Sequence, residues 1–249
     1  HTENFGSLEN VAKAKSDLFT CLPNDGTAFV NIDDNYISKF STHANRVTYG
    51  FKSDADFIGD FKDGVLKINN NVILLPYTSE IMAKNVLATF AIANTIGISH
   101  SEIEKSINTF ASPSGRCDIM IHNEITIIDD TYNSNLESAK AGIDILSEYK
   151  GNQKIAIIGD MLELGGLAED HHYELGKYIS NSKIDILLAT GNFTQLTVNA
   201  ARKVRAVFFH DKEDLIIELM KIVSSGDVVY VKGSRGMKME AIIKKGLSK

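Results

Sequence analysis

Five apolar runs in the second half of the chain, IHNEITIIDD, KIAIIGD, IDILLATG, AVFFHD and DVVYVKGS, each end in a polar or glycine-bearing turn, and helical patterns over 136–149, 168–181, 192–203 and 212–223 separate them. A strand that is apolar at nearly every position is buried on both faces, an environment that a parallel sheet with helices on either side provides. Residues 116–249 are therefore expected to form a doubly wound, Rossmann-like α/β domain. Such a sheet presents its functional side chains at the carboxyl ends of its strands. Three turns there draw attention: IIDDTYNSN at 127–135, IGDMLELG at 158–165 and VKGSRGM at 231–237.

The first half reads differently. LENVAKAKSDLFTCL at 8–22 places Leu8, Val11, Leu18 and Leu22 at helical spacing, and the Pro23-Asn24-Asp25-Gly26 turn stops it. GTAFVNIDD (26–34) and RVTYGF (46–51) read as short strands in a βαβ rhythm, with YISKFSTHAN (36–45) as the crossover helix. Residues 56–77 look like antiparallel ribbon, with turns at Lys62-Asp63-Gly64 and Asn69-Asn70-Asn71. A helix is expected over 79–96 and another from Ser99 to Thr109. Pro and Gly in SPSGR at 112–116 mark the expected boundary, giving domains 1–111 and 112–249.

Bulk properties narrow the function classes. Hydrophobic content of 43% and charged content of 23% describe a soluble globular protein. A formal charge of -6 argues against a general nucleic-acid surface, which needs clustered Lys and Arg, so any anion must be met locally. Cys21 and Cys117 lie far apart with no metal-type spacing, which fits a reducing cytoplasm. No apolar stretch reaches the ~20 residues of a membrane helix. The chain opens on His1 rather than Met, inside what reads as a continuing element, so a fragment or processed chain is expected.

Each motif has a bland reading beside a chemical one. KIAIIGDMLELGG lacks the G-x-G-x-x-G spacing of a dinucleotide turn, so Asp160 is either a cap or a polar contact for an amino-acid substrate. Asp129 and Asp130 could bind ribose hydroxyls, hold a cation or cap the next helix, though capping accounts for one carboxylate and not two. Lys232 and Arg235 are either solvated or, beside exposed helix amides, a receptor for carboxylate or phosphate. His171 and His172 fall on an amphipathic helix, in surface or supporting positions with no direct chemistry assigned. Lys13 and Lys15 are, by default, solvated residues of the first helix.

Taken in order, these motifs resemble the Mur ligase family over essentially the whole chain. HTENFGSLENVAKAK resembles the family's His-containing turn and the helix bearing its carbamylated lysine, with Lys15 in that lysine's place. GTAFVNIDD resembles the next strand and SPSGR the arginine hinge into the C-terminal domain. DDTYNSN resembles the D-x-Y-N-x-N turn of the branch that joins D-alanyl-D-alanine to UDP-N-acetylmuramoyl-tripeptide, of which GDMLELG and KGSRGM are also typical. The implied fold is the rear part of a Mur ligase central ATPase domain followed by the C-terminal domain.

The implied reaction is ATP-dependent amide formation through an acyl phosphate, with magnesium, in peptidoglycan precursor synthesis. The resemblance puts Lys15 and His1 on the magnesium side, Asn85 on the adenine side, and Arg116 and Asp130 against the nucleotide. It places Tyr132, Asn133, Asn135, Asp160, Lys232, Ser234 and Arg235 around the cleft for dipeptide and acyl phosphate. A carbamate on Lys15 requires its amine to lose its proton first, through burial or a neighbouring charge.

The chain departs from the family pattern in three places. Ser79, Ile81 and Met82 replace the family Gly, His and Asn of a helix start, and Leu136 stands where Pro is usual. No G-x-x-x-x-G-K-[ST] occurs in the sequence, so the chain alone is expected not to turn over ATP. Residues 1–111 are expected to be poorly stable alone, since strands missing from their sheet would leave it exposed. Two other readings stay open: a ligase of the same superfamily with another substrate, such as an amino acid or a folylpolyglutamate, and a non-catalytic ligand-binding module.

Overall fold

The computed structural model describes residues 2–52, 54–75, 80–110 and 113–247. The chain divides into two compact units, His1–Phe110 and Ala111–Lys249.

In the first unit, a short helix α1 (Thr2–Phe5) leads to α2 (Leu8–Thr20), which starts where the Ser7 hydroxyl accepts the Asn10 N–H at 3.2 Å. Strands β1 (Thr27–Asn31), β2 (Asn45–Gly50), β3 (Phe57–Lys62), β4 (Val65–Ile68) and β5 (Asn71–Leu74) form one sheet in that order. The first two pairings are parallel and the last two antiparallel. Asp63 and Gly64 take φ of 51° and 79°, the left-handed pair that a tight hairpin requires. Helices α3 (Glu80–Thr95) and α4 (His100–Asn108) follow, the second opened by a Ser99–Glu102 capping box. Leu66, Ile68, Ile73, Leu87, Phe90 and Ile103 form the buried centre.

The crossover helix expected over 36–45 does not form, and a single 3-10 turn, Ile37–Lys39, connects β1 to β2. Side chains compete for the backbone there. Asp34 accepts the N–H groups of Tyr36 and Ile37, each at 2.8 Å, and Thr42 accepts that of Ala44 at 3.1 Å, bonds that favour turns over helix.

The second unit holds a six-stranded sheet built from β6 (Asp118–His122), β7 (Ile125–Asp130), β8 (Lys154–Gly159), β9 (Ile186–Thr190), β10 (Arg205–Phe209) and β11 (Val228–Lys232). The spatial order is β10-β9-β8-β11-β7-β6, all parallel except the β6–β7 pair. The run IHNEITIIDD is thus two strands and not one, broken by a hairpin turn in which Asn123 and Glu124 have φ of 49° and 61°.

Helices α5 (Leu136–Glu148), α6 (Ala168–Ser180) and α7 (Thr194–Ala200) connect successive strands, as does α8 (Lys212–Ile222), and α9 (Glu240–Ile242) follows β11. Alternation along the strands makes two cores. Ile155, Ile157, Val229 and Val231 pack with α8 residues Leu215 and Leu219, while Ala156, Ile158, Val228 and Tyr230 pack with Ile143, Leu146, Leu175 and Ile179 of α5 and α6. Gly176 lets α6 and α7 touch, for a Cβ there would lie 2.2 Å from the Thr197 carbonyl oxygen. This is the doubly wound domain that the apolar runs predict.

Candidate ligand-binding site at the strand ends

Strands β7, β11 and β8 are neighbours, so the three polar turns that follow them converge. The register sets Lys232 beside Asp130 on one side and Ile158 on the other. Period-two alternation turns Asp130, Tyr230 and Lys232 to the same face as Ile128 and Val228. Asp130 Oδ2 accepts the Lys232 ammonium at 2.5 Å and the Tyr230 hydroxyl at 2.9 Å, and its Oδ1 accepts the Cys117 N–H at 3.2 Å. Lys232 also donates to the Asn133 carbonyl at 2.9 Å and so holds the turn after β7.

Lys232 is 2% exposed and Asp130 8%, so each charge depends on the other for solvation it has lost to burial. Burial, reinforced by the Asp130 carboxylate, pushes the Tyr230 phenol well above its ordinary range and the Cys117 thiol up to about 12. Both stay protonated at neutral pH. Asp129 points the other way and accepts the N–H and hydroxyl of Thr131 at 3.1 and 2.7 Å. Neither carboxylate caps α5; Asn135 does, accepting the Ser138 N–H at 2.8 Å.

The solvated reading of Lys232 is thereby corrected. Arg235 is the exposed cation of the pair, its guanidinium 3.7 Å from Glu240. The segment it opens is a three-residue 3-10 turn, Arg235–Met237, so KGSR does not set two cations before a long helix.

A cavity of about 260 Å³ opens beside this network, lined by Arg116, Asp130, Tyr132, Asn133, Ser134, Asn135, Ser138 and Lys232. Gly115, at φ 80°, accepts the Tyr132 N–H at 2.9 Å and brings the Arg116 guanidinium over the Tyr132 ring, 4.1 Å from its centroid. Six residues singled out in the sequence meet here, and Ser134 and Ser138 join them. Ser138 was legible as the third residue after the Asn135 cap; Tyr230 was legible as the same-face neighbour two before Lys232. A larger groove of about 540 Å³ runs along α5 and α6, where Lys140 pairs with Glu174 at 2.6 Å and the Lys177 ammonium lies 5.2 Å from the Tyr173 ring centroid.

Asp160 directly follows β8 and is 1% exposed. Its Oδ2 accepts the Asn192 N–H at 2.6 Å, and its Oδ1 those of Phe193 and Thr194 at 3.0 and 3.1 Å, so the carboxylate caps the start of α7. The Ser234 hydroxyl accepts the Leu162 N–H at 2.8 Å, and the Ser234 N–H donates to the Asp160 carbonyl at 2.9 Å, tying the turn after β8 to the turn after β11. Ser234 also reaches the Ser134 carbonyl at 3.4 Å, so it touches all three turns.

In the first unit, Lys15 is exposed on α2 and Asn85 is exposed on α3. His1 and Ser79 lie outside the described residues. Among the described residues there is no group of three or more His, Cys, Asp and Glu that could hold a metal ion. The cavity fits part of a nucleotide better: its volume is below the ~300 Å³ usual for a whole small-molecule site, yet Asp130 Oδ1 carries one long hydrogen bond and can accept another from a sugar hydroxyl. Among the described residues no helix is long and apolar enough to cross a membrane.

A doubly wound sheet with a polar cleft at the carboxyl ends of three adjacent strands defines an α/β domain of the kind that binds its ligands at those strand ends. Comparison narrows the class. Residues 1–97 match the Mur ligase middle domain and residues 115–235 the Mur ligase glutamate ligase domain, and the chain belongs to the Mur ligase family.

A protein of Haemophilus influenzae named UDP-N-acetylmuramoyl-tripeptide--D-alanyl-D-alanine ligase is 31% identical over 98% of this chain, which covers 56% of that protein. Its namesake in Bacillus subtilis is 29% identical, with the same coverage of 98% and 56%. The chain thus spans about 56% of the length of these curated relatives. Among solved structures, the MurF ligase of Thermotoga maritima in complex with ADP superposes with a TM-score of 0.82 at 21% identity, over 98% of this chain and 58% of that one. MurF of Acinetobacter baumannii gives 0.82 at 24% identity, over 98% and 56%. These structures establish the fold.

Proposed function

We propose that this chain is the ATP-binding and ligase portion of an enzyme that joins D-alanyl-D-alanine to UDP-N-acetylmuramoyl-tripeptide in the bacterial cytoplasm. The observation that carries the reading is likeness to proteins so named along 98% of the chain. The substrate carboxylate attacks the γ-phosphate of ATP, giving an acyl phosphate and ADP; the dipeptide amine then attacks the acyl carbon, forms the amide and releases phosphate. The proposed division is a partial central domain over residues 1–111 and a ligase domain over 112–249.

In this reading Asp130 accepts a ribose hydroxyl through Oδ1, and Arg116, stacked on Tyr132, meets the nucleotide. Asn133 and Asn135 shape the same cavity wall, and Asn85, exposed on α3, is assigned to adenine by its place in the family pattern. Lys232 and Ser234 act on the reacting groups by fixing the three turns. The exposed Arg235 supplies positive charge to an acyl phosphate or dipeptide carboxylate. Asp160 contributes through the turn it begins, since its own carboxylate oxygens are engaged by the start of α7. Lys15 as a carbamate, with His1, would help hold magnesium, which when bound neutralises phosphate charge.

The test is ATP-dependent phosphate release with UDP-N-acetylmuramoyl-tripeptide and D-alanyl-D-alanine. Activity is expected when the chain follows a Mur ligase segment bearing a P-loop, and none from the 249 residues alone, which contain no such loop. Turnover with another amino acid or with glutamyl folate, and not with the dipeptide, would reassign the substrate. A folded but inactive protein in both forms would leave a ligand-binding module.

A further inference from the structure

His172 lies on α6 and has no solvent exposure. Its Nδ1 is 2.6 Å from the Ala168 carbonyl oxygen, which only accepts, and its Nε2 is 3.0 Å from the Met161 amide nitrogen, which only donates. Both partners are backbone groups of fixed polarity, so the ring can satisfy them in one form alone: neutral, with the proton on Nδ1. Met161 lies in the turn after β8, and the next amide, Leu162, donates to the Ser234 hydroxyl at 2.8 Å. Two successive backbone amides of the turn are thus each gripped by one side chain, one from α6 and one from the end of β11.

We infer that His172 is a positioning residue that locks the 160–164 turn in its site-forming shape, and that a proton on Nε2 releases the lock. Protonation turns the acceptor into a donor. The Met161 N–H then loses its partner, while the new N–H faces Asp160 Oδ1, 3.7 Å away. Burial already lowers the ring's affinity for that proton, opposed by the Ala168 carbonyl and Asp160 and assisted by His171. From α7 come Phe193, whose ring centroid is 5.5 Å off, and Thr197, which donates to the His172 carbonyl at 2.9 Å, while Ser234 at the β11 end holds the neighbouring Leu162 amide. On α5, Lys140 and Asp144 are engaged with Glu174 and Tyr178. The inference concerns the turn itself and stands whether or not the proposed ligase activity does.

The experiment is nitrogen NMR of the His172 ring together with hydrogen exchange of the Met161 and Leu162 amides in the intact protein. Near neutral pH the ring should be protonated on Nδ1 alone, and on acidification the Met161 amide should lose protection with the same midpoint as the ring. His172→Phe should speed exchange at Met161 about ten-fold or more while β8 amides keep theirs. His172→Gln, whose amide oxygen can stand near Nε2, should restore most of the protection and abolish its pH dependence. A proton on Nε2 at neutral pH, a Met161 amide indifferent to the ring's titration or to His172→Phe, or a ring that stays neutral until the whole domain unfolds in acid would each overturn the inference.

Discussion

Lys232 and Asp130 are each placed in the candidate site by their motifs, yet neither motif says that they bind each other. That fact depends on the register of two strands separated by about a hundred residues, which local pattern does not encode. Lys232→Met is expected to destabilise the second unit by about 2–4 kcal/mol, since removing one partner leaves a buried charge uncompensated. The loss is softened by the hydrogen bonds that Asp130 keeps from Tyr230 and Cys117. Adding Asp130→Asn should recover part of it, and urea unfolding of the wild type, both singles and the double would measure the coupling. No recovery in the double would mean that the pair is not the source of the cost. His172 sets a second residue-scale limit. Its ordinary value is 6.5 and folding lowers it, so the unfolded chain takes the proton first. Its contribution to stability is complete above that value and falls as pH drops below it, by about 1.4 kcal/mol per pH unit until the folded ring titrates.

Elements were legible where a single pattern ran unopposed. The apolar runs KIAIIG, IDILLAT and VVYVK became β8, β9 and β11, because nothing but a buried sheet accommodates them. Two readings failed where local chemistry intervened. Asp34 and Thr42 drew the segment between β1 and β2 into turns, and a left-handed Asn123-Glu124 pair folded one expected strand into a hairpin. The pairing of α6 with α7 was also unreadable, because it rests on the absence of a side chain at Gly176. Gly176→Ala would put a Cβ 2.2 Å from a backbone oxygen, which cannot rotate away. The helices must part, at a cost of about 1–3 kcal/mol, read as a lower thermal midpoint for the second unit. An unchanged midpoint would show that this crossing has slack.

At the scale of the molecule the two units differ in how much apolar surface they hide. Helix α2 has no buried residue and leaves Leu8 and Leu18 54% and 71% exposed, whereas every residue of β11 is buried. Native-state hydrogen exchange should therefore find α2 among the fastest helices and β7, β8 and β11 the slowest elements, and equal protection for α2 and β11 would contradict this packing. The cleft itself is a product of the whole second unit, whose turns near residues 130, 160 and 234 are joined through Ser234. Its central strand, β11, follows the other five in the chain yet lies between β8 and β7. On the ribosome, then, the keystone arrives last. Until residues 228–232 clear the exit tunnel, β7 and β8 each keep an open edge, and the nascent domain must wait in a state that a neighbouring chain, or a chaperone, can recognise.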